Sequence, residues 1–325
     1  MKQMSTQFKQ GQILAIVGPT ASGKSGLAIE TALKYDGEII SADSRQIYRK
    51  MDIGTGKVTL EEQALVKHHL IDIREPNEDY NVTDFKQDAK VLIKNIQNRD
   101  KLPIICGGTL FWVQALIDNQ SFPAVSPDVK LREKLSLLSR EKLFEKLKTL
   151  DPDRAETIDA KNPVRLIRAL EIVQAIGKVP AIDSYPNLVS GSRTNTAPFE
   201  DEGVLKQVQN DHTNSFIIAI NPPKEILDAK IKKRLDERFG QGMIEEVKHL
   251  HEQGIKWTRL EAFGLEYRWI ALFLQGKIDE QTMREKLYFD IIHYAKRQLT
   301  WLRRWEKQGA QIHWIQNASE IDILP

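Results

Sequence analysis

The chain has 325 residues, 41% of them hydrophobic and 28% charged, so it can bury the core of one large domain or two modest ones. A single cysteine, Cys106, excludes an intrachain disulfide and a cysteine zinc site, and no apolar run reaches the roughly 20 residues of a membrane span. The net charge of +2 is too small to name a nucleic-acid partner, and the polar start MKQMSTQFKQGQ lacks the apolar middle of a signal peptide, which predicts a cytoplasmic protein.

In chain order, Gln12 to Val17 reads as a buried strand, and Glu38 to Ala42, His69 to Ile73 and Pro103 to Cys106 as three more. Thr83 to Gln97 has helical spacing and lies between them. Strands alternating with helices predict an α/β fold: a P-loop NTPase-like, mostly parallel sheet flanked by helices, with residues 1–125 as the first part of its core. Strand signals vanish over 126–182, where Lys, Glu, Leu and Arg recur at helical spacing and predict a helical insertion. Residues 183–214 are polar and rich in turn formers, a connector. Ser215 to Ile220 reads as a return to the sheet, opening a 215–325 segment that is helical after Pro223 except for a short strand at Ile312 to Ile315.

The run Gly18-Pro19-Thr20-Ala21-Ser22-Gly23-Lys24-Ser25 matches G-x-x-x-x-G-K-[ST] and directly follows a strand, with a helical pattern after it. In that context the backbone N–H groups converge on phosphate oxygens at the positive end of a helix dipole. Lys24 supplies a point charge and Ser25 a hydroxyl for Mg²⁺. The motif holds a pyrophosphate whatever is attached to it, so a nucleotide and an allylic pyrophosphate are alike at this end.

Six further motifs follow: Ser41-Ala-Asp43-Ser44-Arg45-Gln46-Ile-Tyr48-Arg49, Met51-Asp52-Ile-Gly54-Thr55-Gly56-Lys57, His68-His-Leu-Ile-Asp72, Gly107-Gly108-Thr109-Leu-Phe-Trp112, Arg165-Leu-Ile-Arg168-Ala-Leu-Glu171 and Lys296-Arg297-Gln298-Leu-Thr300-Trp301-Leu-Arg303. In this order they resemble the tRNA dimethylallyltransferase (tRNA isopentenyltransferase) family over nearly the whole chain. The resemblance implies transfer of a dimethylallyl group from dimethylallyl pyrophosphate to N6 of adenosine 37 in a tRNA anticodon loop, with Mg²⁺ as cofactor and a monomeric enzyme. An adenine amine must lose a proton as it attacks, and the family implies Asp43 as that general base. Lys24, Thr20, the loop amides and Arg234 would disperse charge on the leaving pyrophosphate. Asp43, Ser44, Arg45, Gln46 and Thr109 would contact the tRNA, Gln46 at a base edge and Thr109 at the flipped adenosine or its backbone. The RNA would run along Arg165, Arg168, Tyr267, Arg268, Lys296, Arg297 and Arg303. Asp72 ends a predicted strand like a metal-binding carboxylate, although a structural role suits it better.

From His293 to Lys307 five basic residues stand against one acid, Glu306, a net +4, with Tyr294, Trp301 and Trp305 interleaved. At about 100° per residue, Ile291, Ala295, Leu299 and Leu302 share one face, opposite Lys296, Arg297, Arg303 and Arg304. That arrangement suits a phosphate track. Two segments depart from the family pattern. Where the family reads R-[IV]-x-x-R-[VL]-x-x-M, this chain has Lys230 for the first arginine and Arg238 for the methionine; where it reads Gly-Tyr-[RK], this chain has Gly264-Leu265-Glu266-Tyr267-Arg268. Three other readings share the P-loop: a free-nucleotide adenylate isopentenyltransferase, a P-loop kinase of small metabolites, and a non-catalytic RNA-binding ATPase.

Overall fold

The computed structural model describes residues 11–180 and 215–317, so the predicted 183–214 connector lies outside the described residues. The chain divides into two compact units, residues 1–117 with 210–325, and residues 118–209.

The first unit is built on β1 (Ile13–Val17), β2 (Gly37–Ser41), β3 (His68–His69), β4 (Leu102–Gly107), β5 (Ser215–Ile220) and β6 (Ile312–Ile315). Their spatial order is β3-β2-β4-β1-β5-β6, and every pairing is parallel. A parallel sheet with helices on both faces must bury successive residues alternately on each side, which is why its strands read as continuous apolar runs. Leu14, Ile16, Ile39, Ile104, Ile218 and Ile220 face α1 (Lys24–Lys34), which contributes Leu27, Ala28, Ile29 and Ala32. Ala15, Val17, Ile40, Ile105, Ile217 and Ala219 belong to the larger core on the other face.

That larger core takes in α3 (Val82–Gln97, after the short α2, Leu60–Leu65) and α4 (Leu110–Ile117). Phe85 of α3 stacks on Trp112 of α4 with ring centroids 4.8 Å apart. Side chains of this size bury ~1.5–3 kcal/mol of transfer free energy each.

The predicted strand over His69 to Ile73 stops after His69. Leu70 and Asp72 adopt left-handed backbone (φ 60° and 55°), which turns the chain out of the ladder. Ile73 and Arg74 then bond the Ile47 carbonyl instead of a neighbouring strand.

The second unit holds α5 (Val129–Ser136), α6 (Arg140–Leu150), α7 (Pro152–Thr157) and α8 (Pro163–Ile176). Leu143, Leu147, Leu166, Leu170 and Val173 form its core. Back in the first unit, the chain after β5 forms α9 (Lys224–Gly240), α10 (Met243–Glu252), α11 (Trp257–Phe263), α12 (Leu265–Leu274) and the 28-residue α13 (Glu280–Lys307). No helix among the described residues is long and apolar enough to cross a membrane.

Candidate active site

In open α/β sheets ligands gather beyond the carboxyl ends of the strands, where the connections diverge. Here β1 ends in Gly18, β2 in Ala42-Asp43 and β4 in Gly107-Gly108, on one edge. The P-loop is formed. Gly23 takes a left-handed φ of 94° at the N-cap, a conformation a side chain would strain, and α1 starts at Lys24. The Lys24 ammonium folds back to donate to the Pro19 carbonyl at 3.3 Å. The buried Ser22 hydroxyl inside this loop has no partner among the described residues.

Thr20, Lys24, Ser25 and Asp43 line one pocket together with Arg45, Arg234, Arg238, Glu266, Tyr294 and Gln298. Asp43 accepts the Arg45 N–H on Oδ1 at 3.0 Å, a tight turn that fixes the carboxylate at the end of β2. The Arg234 guanidinium donates to the Thr20 hydroxyl. Gln298, on α13, bridges two loops: its Oε1 accepts the Thr20 N–H at 2.8 Å and its Nε2 donates to the Gly108 carbonyl at 2.8 Å.

The electrostatics are unbalanced. Four fixed cations, Lys24, Arg45, Arg234 and Arg238, line the pocket against two carboxylates, Asp43 and Glu266, an excess of +2. Burial depresses the Lys24 pKa; Arg234 adds to this, while Cys106 and Asp43 oppose it. Arg234 is pulled down to about 9, first by burial and then by Arg238. Burial lowers His68 too, so that ring adds no charge at neutral pH. The Lys24 and Arg234 shifts have the same physical cause, positive charge crowded into a buried site, and a polyanion bound there would offset it.

Most of the remaining predicted residues lie outside this pocket. Gln46 lines the pocket, but its amide donates to the Gly56 carbonyl at 3.1 Å and accepts from the Ser41 hydroxyl at 3.3 Å. Ser44 and Thr109 bond each other, Ser44 N–H to Thr109 Oγ1 at 3.0 Å, and tie the Asp43 turn to the start of α4. Arg165 and Arg168 lie in the helical unit and are paired there. Arg165 bonds Asp159 at 3.4 Å, and Arg168 bonds buried Glu171 and the Val125 carbonyl.

Tyr267, expected along the RNA, is fully buried. Its hydroxyl donates to Glu246 at 2.7 Å and its ring covers Gly54, so it offers no surface to a nucleic acid. Arg268 beside it is exposed. Asp72 is an ion-pair partner of Lys57 and not a pocket residue.

On α13, Lys296, Arg297 and Arg303 are exposed and Ile291, Ala295 and Leu302 buried, as the wheel predicts, with Leu299 half-buried. The interleaved aromatics turn inward. Trp305 is buried, Trp301 donates to Gln114 at 2.8 Å, and Tyr294 enters the pocket and bonds the Gly108 carbonyl at 3.3 Å.

A family model described as IPP transferase matches residues 46–305. The chain belongs to the IPP transferase family. It is 38% identical over 314 residues to tRNA dimethylallyltransferase 2 of Shewanella sediminis, covering 97% of this chain and 96% of that protein. It is also 38% identical to tRNA dimethylallyltransferase 1 of Geotalea uraniireducens, with 94% and 92% covered. Among solved structures it resembles the full-length tRNA isopentenylpyrophosphate transferase of Bacillus halodurans, with 33% identity, a TM-score of 0.64 and coverage of 95% and 90%. A eukaryotic dimethylallyltransferase caught acting on tRNA shares the fold, with a TM-score of 0.73 at 23% identity and coverage of 96% and 76%.

Against that family background, Arg238, Glu266, Tyr294 and Gln298 join the pocket although the sequence assigned them no role there. Gln298 stands inside the Lys296-Arg297-Gln298 motif, beside two exposed basic residues. A polar residue between Ala295 and Leu302 on the buried face of the wheel was the available signal.

Proposed function

We propose that this chain transfers a dimethylallyl group from dimethylallyl pyrophosphate to N6 of adenosine 37 in the anticodon loop of tRNA. One observation carries the reading: the phosphate cradle at Lys24 and the carboxylate of Asp43 share a single pocket with a surplus of positive charge. In the proposed reaction, N6 attacks C1 of the allyl group while the C1–O bond to pyrophosphate breaks. The N6 proton passes to Asp43, and the bonding electrons leave with the pyrophosphate.

Lys24, Arg234 and the P-loop N–H groups take up the growing negative charge. Each such preorganised donor typically lowers the barrier by ~3 kcal/mol. Thr20 acts through Arg234, whose guanidinium its hydroxyl holds. Ala28, Ile39, Val58 and Ile71 give the pocket an apolar wall suited to a five-carbon hydrocarbon.

The pocket also fits Mg²⁺ through the Ser25 hydroxyl. Ser25 would hold the ion together with pyrophosphate oxygens and water, the ligand set Mg²⁺ commonly takes at phosphates. When bound, Mg²⁺ would neutralise charge on the leaving group. For the RNA, the exposed basic face of α13 supports phosphate contacts, and the target base would leave its stack to meet Asp43.

The test is to incubate the protein with dimethylallyl pyrophosphate, Mg²⁺ and an unmodified tRNA bearing A36-A37-A38, then digest and weigh the nucleosides. A five-carbon gain on A37 alone, lost in Asp43→Asn, is expected. Modification of AMP but not tRNA, or ATP consumption without any nucleoside product, refutes it.

A further inference from the structure

Arg238 and Glu266 stand at the two segments where the chain departs from the family pattern, and in the fold they meet. Glu266, near the start of α12, is 2% exposed. Its Oε1 accepts from Arg238 Nη1 at 3.1 Å and its Oε2 from Arg45 Nη1 at 2.8 Å. One carboxylate therefore holds two guanidiniums, one from the turn after Asp43 and one from α9. Arg238 is itself buried, with Nη1 also 3.4 Å from the Gly54 carbonyl. Its seat is made by a missing side chain, since a Cβ at Gly56 would come within 1.7 Å of Arg238 Nη2.

The arrangement matters because of what lies beside it. Arg45 donates its backbone N–H to Asp43, so the guanidinium tethered by Glu266 is rooted two residues from that carboxylate. Around Asp43 the charged groups are Lys24, Arg45, Arg234, Arg238 and Glu266, with the phenol of Tyr294. Take Glu266 away and four cations face one carboxylate. Buried guanidiniums need a partner, and a freed one would find Asp43, whose lone pairs it would occupy.

We propose that Glu266 is a positioning residue that keeps Arg45 and Arg238 engaged, leaving Asp43 open to the N6 proton and the pyrophosphate end to Lys24 and Arg234. This rests on the reading of Asp43 as the base. Removing Arg238 and Glu266 together leaves three cations against one carboxylate, the same +2 excess as the native set.

The test compares Glu266→Gln, Arg238→Met and the double variant by kcat, by KM for dimethylallyl pyrophosphate at saturating unmodified tRNA, and by thermal melting. Glu266→Gln should lower kcat roughly thirtyfold, toward the upper coupling range of contacting charges, with KM for the donor unchanged or lower. The double variant should recover to within about threefold of the native kcat, because Arg238 is no longer set free and the amide oxygen introduced at position 266 is left to accept from Arg45 alone.

A merely structural role predicts a raised KM and a lowered melting temperature with kcat intact. A double variant as slow as Glu266→Gln, or a single variant that raises KM with kcat intact, overturns the proposal. Should Glu266→Gln fail to fold, the double variant still decides, since a kcat near native supports the pairing and a thirtyfold loss refutes it. Asp43→Asn is measured alongside. Loss of activity there with no split at 238 and 266 overturns this inference alone, whereas activity surviving Asp43→Asn overturns the base reading.

Discussion

Truncating Gln298 to Ala tests whether α13 holds the phosphate loop in place. Gln298 is 4% exposed and makes two 2.8 Å hydrogen bonds, to the Thr20 N–H and the Gly108 carbonyl. Losing two neutral hydrogen bonds costs about 2 kcal/mol. The Gly108 carbonyl keeps the Tyr294 hydroxyl at 3.3 Å, but the Thr20 N–H loses its partner, which adds ~1–3 kcal/mol if no water replaces it. The expected loss is therefore about 3–5 kcal/mol, a large share of the ~5–15 kcal/mol by which domains are stable. All six tryptophans lie in the sheet-bearing unit, so tryptophan fluorescence during urea unfolding reports on that unit alone. The midpoint should fall by about 1 M with an unchanged slope. A loss below ~1 kcal/mol would mean that the loop is held by its own backbone and that Gln298 only fills space.

Arg234→Ala should lower kcat by about 10²–10³, the usual cost of one charge-stabilising donor, without lowering the melting temperature, because it removes one of four clustered cations. A fall in melting temperature with kcat intact would contradict this. Changing Arg297 and Arg303 together to Ala should flatten the salt dependence of tRNA binding by about two units of slope and leave the KM for dimethylallyl pyrophosphate unchanged. An unchanged slope would reduce that helix face to a cover for the core. Glu38 predicts a pH effect. Burial alone raises its pKa, but hydrogen bonds from Arg99 and His69 outweigh burial and hold it below the ordinary 4.5. A depressed carboxylate stabilises the fold above the unfolded value, so that contribution is present above pH 4.5 and is lost as pH falls through the folded value. Urea unfolding from pH 3 to 7 should show it, and Glu38→Gln should lessen the acid sensitivity; an identical pH profile in the variant would refute the assignment.

Much of the catalytic edge was legible because its chemistry is local. A glycine-lysine loop between a strand and a helix specifies its own geometry, and an acid at the end of the next strand inherits its position from the sheet. The strands were readable for the same reason, since a parallel sheet covered on both faces demands unbroken apolar runs. The third strand misled because its apolar spacing is real while Leu70 and Asp72 adopt left-handed backbone. No composition signal marks that turn; it is favoured by contacts to residues 46–47 and Lys57.

On α13 the wheel separated charge from core correctly, but the interleaving of Tyr294, Trp301 and Trp305 with basic residues did not fix which way the rings point. Trp305 and Tyr294 go inward because the sheet unit has apolar and polar space for them there. Tyr267 likewise went to the core: Glu246 of α10 accepts its hydroxyl and also caps the N–H groups of Asp52, Ile53 and Gly54.

By itself, then, the amino-acid order determined the phosphate loop, the strand-end acid, the parallel sheet and the family, because each is written within a few adjacent residues or in the succession of motifs. Tertiary structure alone decided which distant side chains complete the pocket: Gln298 lies 278 residues from Thr20, and Glu266 lies 221 from Arg45. Those contacts depend on how helices cross above the sheet, and helix crossing is set by the summed fit of many apolar side chains that no short stretch of sequence records.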